Sequence, residues 1–514
     1  MNLHRGKTEI AGVRSNCRGN YKSQRRHASD SSGQAIHCYE VTRTTLEIAD
    51  NTPLTKRPES SVENVLASST ASLITTAIGT SAYDFGLYDQ GIWLLSEGKT
   101  PFVTLMGRNL FGDHTSFILL LLVPLMWIFS STSMLFVVQS VVIACGAIPI
   151  YAFARKRLES DALGCVFACT YLLYPAVSWT NVENFHPDSF LGLFIAVALW
   201  AALSRKWRWY VVAVVLALLV KEDVVLVVAP IGVWVALRRD VRIGIATVVG
   251  AIGAALLCFF VVIRDLTGTA FRNSWRIPFG GVGGLLKTAL TAPLTLLRYL
   301  TSDGRMTYLM QMLLPTGGMF FIAPSVALVG FTVLLSNIVS TFYYQYQIQY
   351  HYSLVVAPIL IFGNVYAIGR LSKPARRRAT SVVAACALVG ALLLAPLPFA
   401  RNQIQKFPPS NSSVAAAHRL FAQIPSEAVI SVFHPLSAQL ARRERVYVFP
   451  NPFRRALYGP DVFAAGDRLD FADEIEYVML PIALTRESEQ VWRSEIHDYV
   501  LVDSNEWWIL YRHR

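Results

Sequence analysis

Charge is scarce in this chain. Only 16% of its 514 residues are Asp, Glu, Lys or Arg, and 53% are apolar, whereas a soluble chain carries about 25% charged residues. With a mean hydropathy of +0.41, that shortage excludes an ordinary soluble protein and points to a polytopic membrane protein. Cysteine is also sparse. The seven cysteines, at 17, 38, 145, 165, 169, 258 and 386, fall in the N-terminal tail or inside apolar segments, so neither a disulfide framework nor a CxxC metal pair can be read. The region after residue 400 has no Gly-rich phosphate loop, and no internal repeat occurs in the chain. Residues 1–64 are polar and lack the apolar core of a cleavable signal, which predicts a disordered cytoplasmic tail. The formal charge of +12 sits in short clusters between apolar runs, the footprint of membrane topology, so no nucleic-acid partner is expected.

What remains is a series of apolar segments over residues 65–400. The first candidate span, Val65 to Ala82, is diluted by Ser and Thr. Ser116 to Phe129 is apolar but short and broken by Pro124, which suits an interfacial or re-entrant helix lying in the lipid bilayer. Four later segments end in basic clusters: Arg155 to Arg157, Arg205 to Arg208, Arg238 with Arg239, and Arg370 to Arg378. The positive-inside bias makes all four cytoplasmic. That places outside the first loop (83–132), Trp179 to Asp188, Arg264 to Arg305, Phe342 to His351 and everything after residue 400. The block Tyr210 to Leu237 has basic residues at both ends and Lys221, Glu222 and Asp223 at its middle. A hairpin of two short helices with the charged triplet at its tip satisfies both facts. About eleven spans result, making an all-α polytopic domain in the cell (cytoplasmic) membrane with its N-terminus in the cytoplasm.

Residues 401–514 mix charges evenly. Val414 to Ala422 reads as a helix, and Val429 to Phe433, Val446 to Phe449, Tyr477 to Leu480, Tyr499 to Val502 and Trp508 to Tyr511 read as strands, predicting a small extracytoplasmic α/β domain.

Several polar groups on the outer side are candidates for chemistry. Asp84 and Asp89 open the first loop and suit a general base, although Asp84 also suits a helix N-cap. Asp113 and His114 close that loop and could orient an imidazole or bind a divalent cation such as Mg or Mn, although two adjacent residues are a weak metal signal and local hydrogen bonding accounts for them more readily. Glu183, His186 and Asp188 share a turn set by Pro187, which suits cation binding or a base beside a hydroxyl. Lys221, Glu222 and Asp223 form three consecutive charges inside an apolar block, and ionisable residues at that depth usually mark a site. Arg264, Arg272, Arg276, Arg298 and Arg305, with His351 and Tyr352, suit an anionic headgroup. No cofactor other than a possible divalent cation is expected.

The runs YDFGLYDQGIW, GDHTSFILLLLVPL, LLYPAVSWTNVENFHPDSF, LLVKEDVVL and HPLSAQLARRERVYVFP resemble a family of predicted prokaryotic membrane proteins, domain of unknown function twenty-seventy-nine, from Tyr83 to the C-terminus. That family is similar to the GT-C superfamily of integral-membrane glycosyltransferases. The resemblance implies a lipid-phosphate-linked (polyprenyl-phosphate) sugar donor, an acceptor glycan, lipid or protein, and an acidic catalytic base or metal ligand early in the first outer loop. Asp84 matches that position, with Asp89 as second choice. A transporter or flippase of a lipid-linked or anionic solute, and a non-catalytic scaffold, are the other classes these residues allow. An enzyme requires Asp84, His186 and Lys221 to line one pocket, and a scaffold leaves them scattered.

Overall fold

The computed structural model describes residues 79–129, 131–402, 411–456 and 466–514. The expected tail and nearly all of the first candidate span lie outside them. Four described helices are long and apolar enough to cross a membrane: Met134–Leu158, Val241–Thr267, His351–Ile368 and Lys373–Leu394. The pair Asp161–Leu172 and Pro175–Val182, bent by 50°, makes a fifth candidate, broken where Pro175 cannot continue the preceding helix. Other expected crossings fall on shorter apolar helices, Ser189–Leu203, Trp207–Leu218 and Ala327–Val339. Only 22% of the apolar window of Val241–Thr267 is buried, and Val249, Leu256 and Leu257 on it are more than half exposed. Such a face is costly in water and at home in lipid. Phe117–Ile128 leaves Leu121, Trp127 and Ile128 60–69% exposed, as befits a helix lying in an interface.

The block around Lys221 folds as two helices, Trp207–Leu218 and Val225–Arg238, separated by a 3-10 turn at Glu222–Val224. Its two basic ends return to the same place, where Arg239 lies within electrostatic reach of Arg205 and Arg157. Arg157 in turn stacks on Tyr366, 5.7 Å from the ring centroid. The basic clusters thus gather at one end of the helical body. Glu159 joins them there, paired with Lys373 at 3.1 Å and Arg376 at 3.4 Å.

Buried polar side chains hold the other end. Gln139, fully buried, donates to the carbonyls of Thr180 and Asn184, 3.0 Å each, and accepts from the His186 N–H at 3.1 Å. A glutamine spent this way fixes the turn that carries His186 and Asp188, because each lost bond would strand a buried group.

The C-terminal segment forms a small sheet domain. After the helix Ser412–Phe421 come β3 (Ile430–Val432), β4 (Val446–Val448), β5 (Tyr477–Pro481), β6 (Tyr499–Ser504) and β7 (Trp508–His513), in the order β4-β3-β5-β7-β6. β3 runs parallel to β4 and β5, and β7 antiparallel to β5 and β6. The helix Arg486–Glu495 was not expected from the sequence. Its apolar face is little more than Val491 and Trp492, too narrow to stand out by periodicity. A short ribbon of β1 (Phe102–Val103) and β2 (Arg108–Asn109) folds within the first loop.

The run beginning at His434 holds this domain against the first loop. His434 stacks on Tyr83 with ring centroids 5.5 Å apart. Arg442 clasps Asp89 through Nε and Nη2 at 3.0 Å. Gln90 donates to the Arg443 carbonyl at 3.1 Å, and Thr104 donates to that of Val446 at 2.8 Å. Burial pulls the His434 imidazole down to about 4 from its ordinary 6.5. Between those values the unfolded chain binds a proton that the folded one refuses, so stability falls as pH drops from about 6.5 toward 4 and levels below it. Melting curves across this range should show that acid loss in the wild type and a flatter profile in His434→Gln.

Candidate functional site

Asp84 sits in a π-helical turn, Ala82–Gly86, capped by Ser81, whose Oγ accepts from the Tyr83 N–H at 3.2 Å. The Ser81 N–H donates to Asn184 Oδ1 at 3.0 Å. This ties the start of the first loop to the His186 turn, 103 residues away. Single π turns are uncommon and recur at functional sites. Here the turn brings Asp84 within electrostatic reach of His186, Asp113 and Lys221. Burial raises the Asp84 carboxyl above its ordinary value. His186 and Lys221 pull it back, and Asp113 pushes it further up.

The remaining members interlock. The Tyr88 hydroxyl lies 3.1 Å from His186 Nε2. His186 Nδ1 lies 2.6 Å from Asp188 Oδ2. Lys221 Nζ stands 3.8 Å from the same oxygen and 3.7 Å from Asp223 Oδ2, and it faces the Tyr352 ring at 5.5 Å. Glu222 reaches back to the loop, with Oε1 2.7 Å from His114 Nδ1 and Oε2 accepting from the Thr115 N–H at 3.1 Å. His351 stacks flat on His186, with centroids 3.4 Å apart and planes 9° from parallel. Groups from four stretches of the chain, 84–114, 186–188, 221–223 and 351–352, therefore meet at the end of the body opposite the basic clusters.

Other expected residues stand differently. Asp89 is fully buried against Arg442 and does not join the cluster. Its part as second choice for the base gives way to a structural ion pair. Asp113 is bracketed by Arg108 and Arg272, each 3.0 Å from Oδ1. Burial would raise its carboxyl, but His114 and the two guanidinium groups outweigh that and hold it far below the usual range. With two cations on Asp113 and Glu222 on His114, the pair expected to hold a cation is instead committed to protein partners. Arg264 is exposed at its helix end. Arg276 lies over Phe342, 4.3 Å from the ring centroid, and acts on Tyr352, so it borders the site. Arg305 is 2% exposed and spends its donors on the carbonyls of Ile338 and Ser340, on Asp303 and on the Tyr299 hydroxyl. It holds a turn and is not available to a headgroup.

Tyr88 and Arg108 escaped the reading of the sequence, since an isolated tyrosine or arginine in a loop carries no pattern. A separate cavity of about 450 Å³, lined by Lys99, Phe102, Thr104, Arg445, Tyr447 and Phe471, opens between the first loop and the sheet domain. It shares no residue with the cluster.

No curated protein matches the sequence. Among solved structures the chain is similar to ArnT from Cupriavidus metallidurans bound to undecaprenyl phosphate, at 12% identity and a TM-score of 0.50, covering 88% of this chain and 97% of that one. The apo state of the same ArnT gives 13% identity and a TM-score of 0.48, covering 87% and 97%. At such identity the likeness to the bound form concerns the fold alone. The family model of the predicted membrane proteins DUF2079 matches residues 76–511, and the chain belongs to that family.

Proposed function

We propose that this protein is a glycosyltransferase of the GT-C type, moving a sugar from a polyprenyl-phosphate carrier to an acceptor at the outer face of the cytoplasmic membrane. One observation carries the reading. His186 Nδ1 and Lys221 Nζ stand 2.6 and 3.8 Å from the same Asp188 oxygen, and Tyr88, four residues after Asp84, reaches His186 Nε2 at 3.1 Å, so stretches as far apart as 84–88 and 221 meet in one cluster. Burying unlike charges this way costs several kcal/mol per ion before pairing offsets it, so a scaffold with scattered charges has no use for it. The ArnT-like fold adds support, because that protein was captured with undecaprenyl phosphate.

In this reading the Asp84 carboxylate takes the proton of the acceptor hydroxyl. The acceptor oxygen forms its bond to the anomeric carbon as the bond from that carbon to the phosphate oxygen breaks, with inversion. The phosphate leaves with the electron pair, and Lys221 and Arg276 neutralise it. His186, Asp188, Glu222 and Asp223 hold Lys221 and the sugar in register. The first loop (83–132) and the domain from residue 401 face outward, while the basic clusters face the cytoplasm.

The test is to incubate the purified protein with a panel of polyprenyl-phosphate sugars. Turnover of one member, with release of the lipid phosphate, is expected. Movement of an intact lipid-linked solute across vesicles without bond cleavage would replace this reading with a flippase. Because the raised Asp84 carboxyl must be ionised to act, kcat/KM should fall as pH drops, with a midpoint above the ordinary carboxylate value of about 4.

A further inference from the structure

His351 carries an anomaly that the transfer chemistry does not use. Its side chain is 6% exposed, yet neither Nδ1 nor Nε2 has a hydrogen-bond partner. Stranding one buried polar group costs about 1–3 kcal/mol, and a buried group left unsatisfied calls for an explanation such as an ion. Its flat stack on His186 gives none, since aromatic rings prefer offset or edge-on contact. Asp188 Oδ2 stands in the same space and makes no well-aligned hydrogen bond, despite its short approaches to His186 and Lys221.

We propose that His186, Asp188 and His351 form a binding site for one divalent transition-metal ion of the zinc class. One ligand atom from each lies within 4.8 Å of the others. Neighbouring ligands of a tetrahedral ion with bonds near 2.1 Å are about 3.4 Å apart, so splaying the two rings by side-chain rotation closes the set. Two imidazoles and one carboxylate select a borderline ion over magnesium or calcium, which prefer all-oxygen shells. Three protein ligands leave a position open to an oxygen of a substrate. The site rests on this geometry and stands or falls independently of the sugar-transfer reading.

The test uses full-length protein in detergent, stripped with a chelator and dialysed against Zn²⁺ or Co²⁺ alone. One ion per chain should bind by elemental analysis, the Co²⁺ form should show the intense visible bands of a four- or five-coordinate site, and zinc-edge absorption should report two imidazoles. His351→Gln should lower affinity for Zn²⁺ at least tenfold, and Asp188→Asn should do the same, while Mg²⁺ should not compete. Failure of stripped wild type to take up either ion, a weak six-coordinate Co²⁺ spectrum, or unchanged affinity in a folded His351→Gln would overturn the proposal. The wild-type spectra decide the matter even where a variant does not fold.

Discussion

Asp84→Asn is expected to lower sugar transfer by about a hundred- to ten-thousandfold, the usual worth of a positioned general base, while leaving the protein folded and membrane-inserted. Asparagine has nearly the shape of aspartate, so the π turn at Ala82–Gly86, its Ser81 cap and the tie to Asn184 survive the change. Only the ability to accept the acceptor's proton is removed. Donor binding rests on Lys221 and Arg276 and should be little altered, so the loss belongs in kcat and not in KM. Steady-state transfer assays on the purified variant, with melting curves as the folding control, check this. Full activity would remove Asp84 as the base and leave the rest of the cluster without a proton acceptor so placed.

The second large effect concerns stability. Asp89→Ala should destabilise the protein by about 1.5–3 kcal/mol, the worth of a hydrogen-bonded charge lost to a part-exposed partner. Asp89 is fully buried, and Arg442 reaches it from the sheet domain with two nitrogens. The variant leaves that guanidinium facing a cavity. Replacing both residues with apolar ones of similar volume should recover most of the loss, since an ion pair removed whole strands no charge. Denaturant unfolding of the two variants measures the difference. If Asp89→Ala unfolds like the wild type, the pair does not hold the domain to the loop. The same pair explains why Asp84 and Asp89, five positions apart, serve different ends: one faces the cluster and the other the sheet domain.

Much of this architecture is legible in the letters. Short runs rich in β-branched and aromatic residues mark all five strands of the C-terminal sheet, because such residues favour a pleated, packed surface. Strand order was not legible, since pairing β5 with both β3 and β7 is decided by packing. The Lys221 tip was visible as charges that lipid would not tolerate. Arg305 misled for the opposite reason. Its charge suggested a headgroup, but donors satisfied by two segments, 299–303 and 338–340, can be recognised only once Ile338, Ser340 and Tyr299 are folded around it. Asp89 misled because its partner lies 353 residues away. Asp113 and His114, adjacent in sequence, looked like a ligand pair, yet Arg272 and Glu222 claim them separately. Meanwhile His186 and His351, 165 positions apart, come together face to face.

The central claim is that the Asp84 end of the helical body receives a lipid-borne phosphate. The most direct measurement is photolabelling of the reconstituted protein with a photoactivatable polyprenyl phosphate, followed by peptide mapping. Crosslinks should concentrate on residues 270–280 and 342–352, beside Arg276 and His351, and an excess of unlabelled polyprenyl phosphate should suppress them. Crosslinks spread along the lipid-facing helices, or gathered at the Arg157 and Arg239 end, would contradict the account.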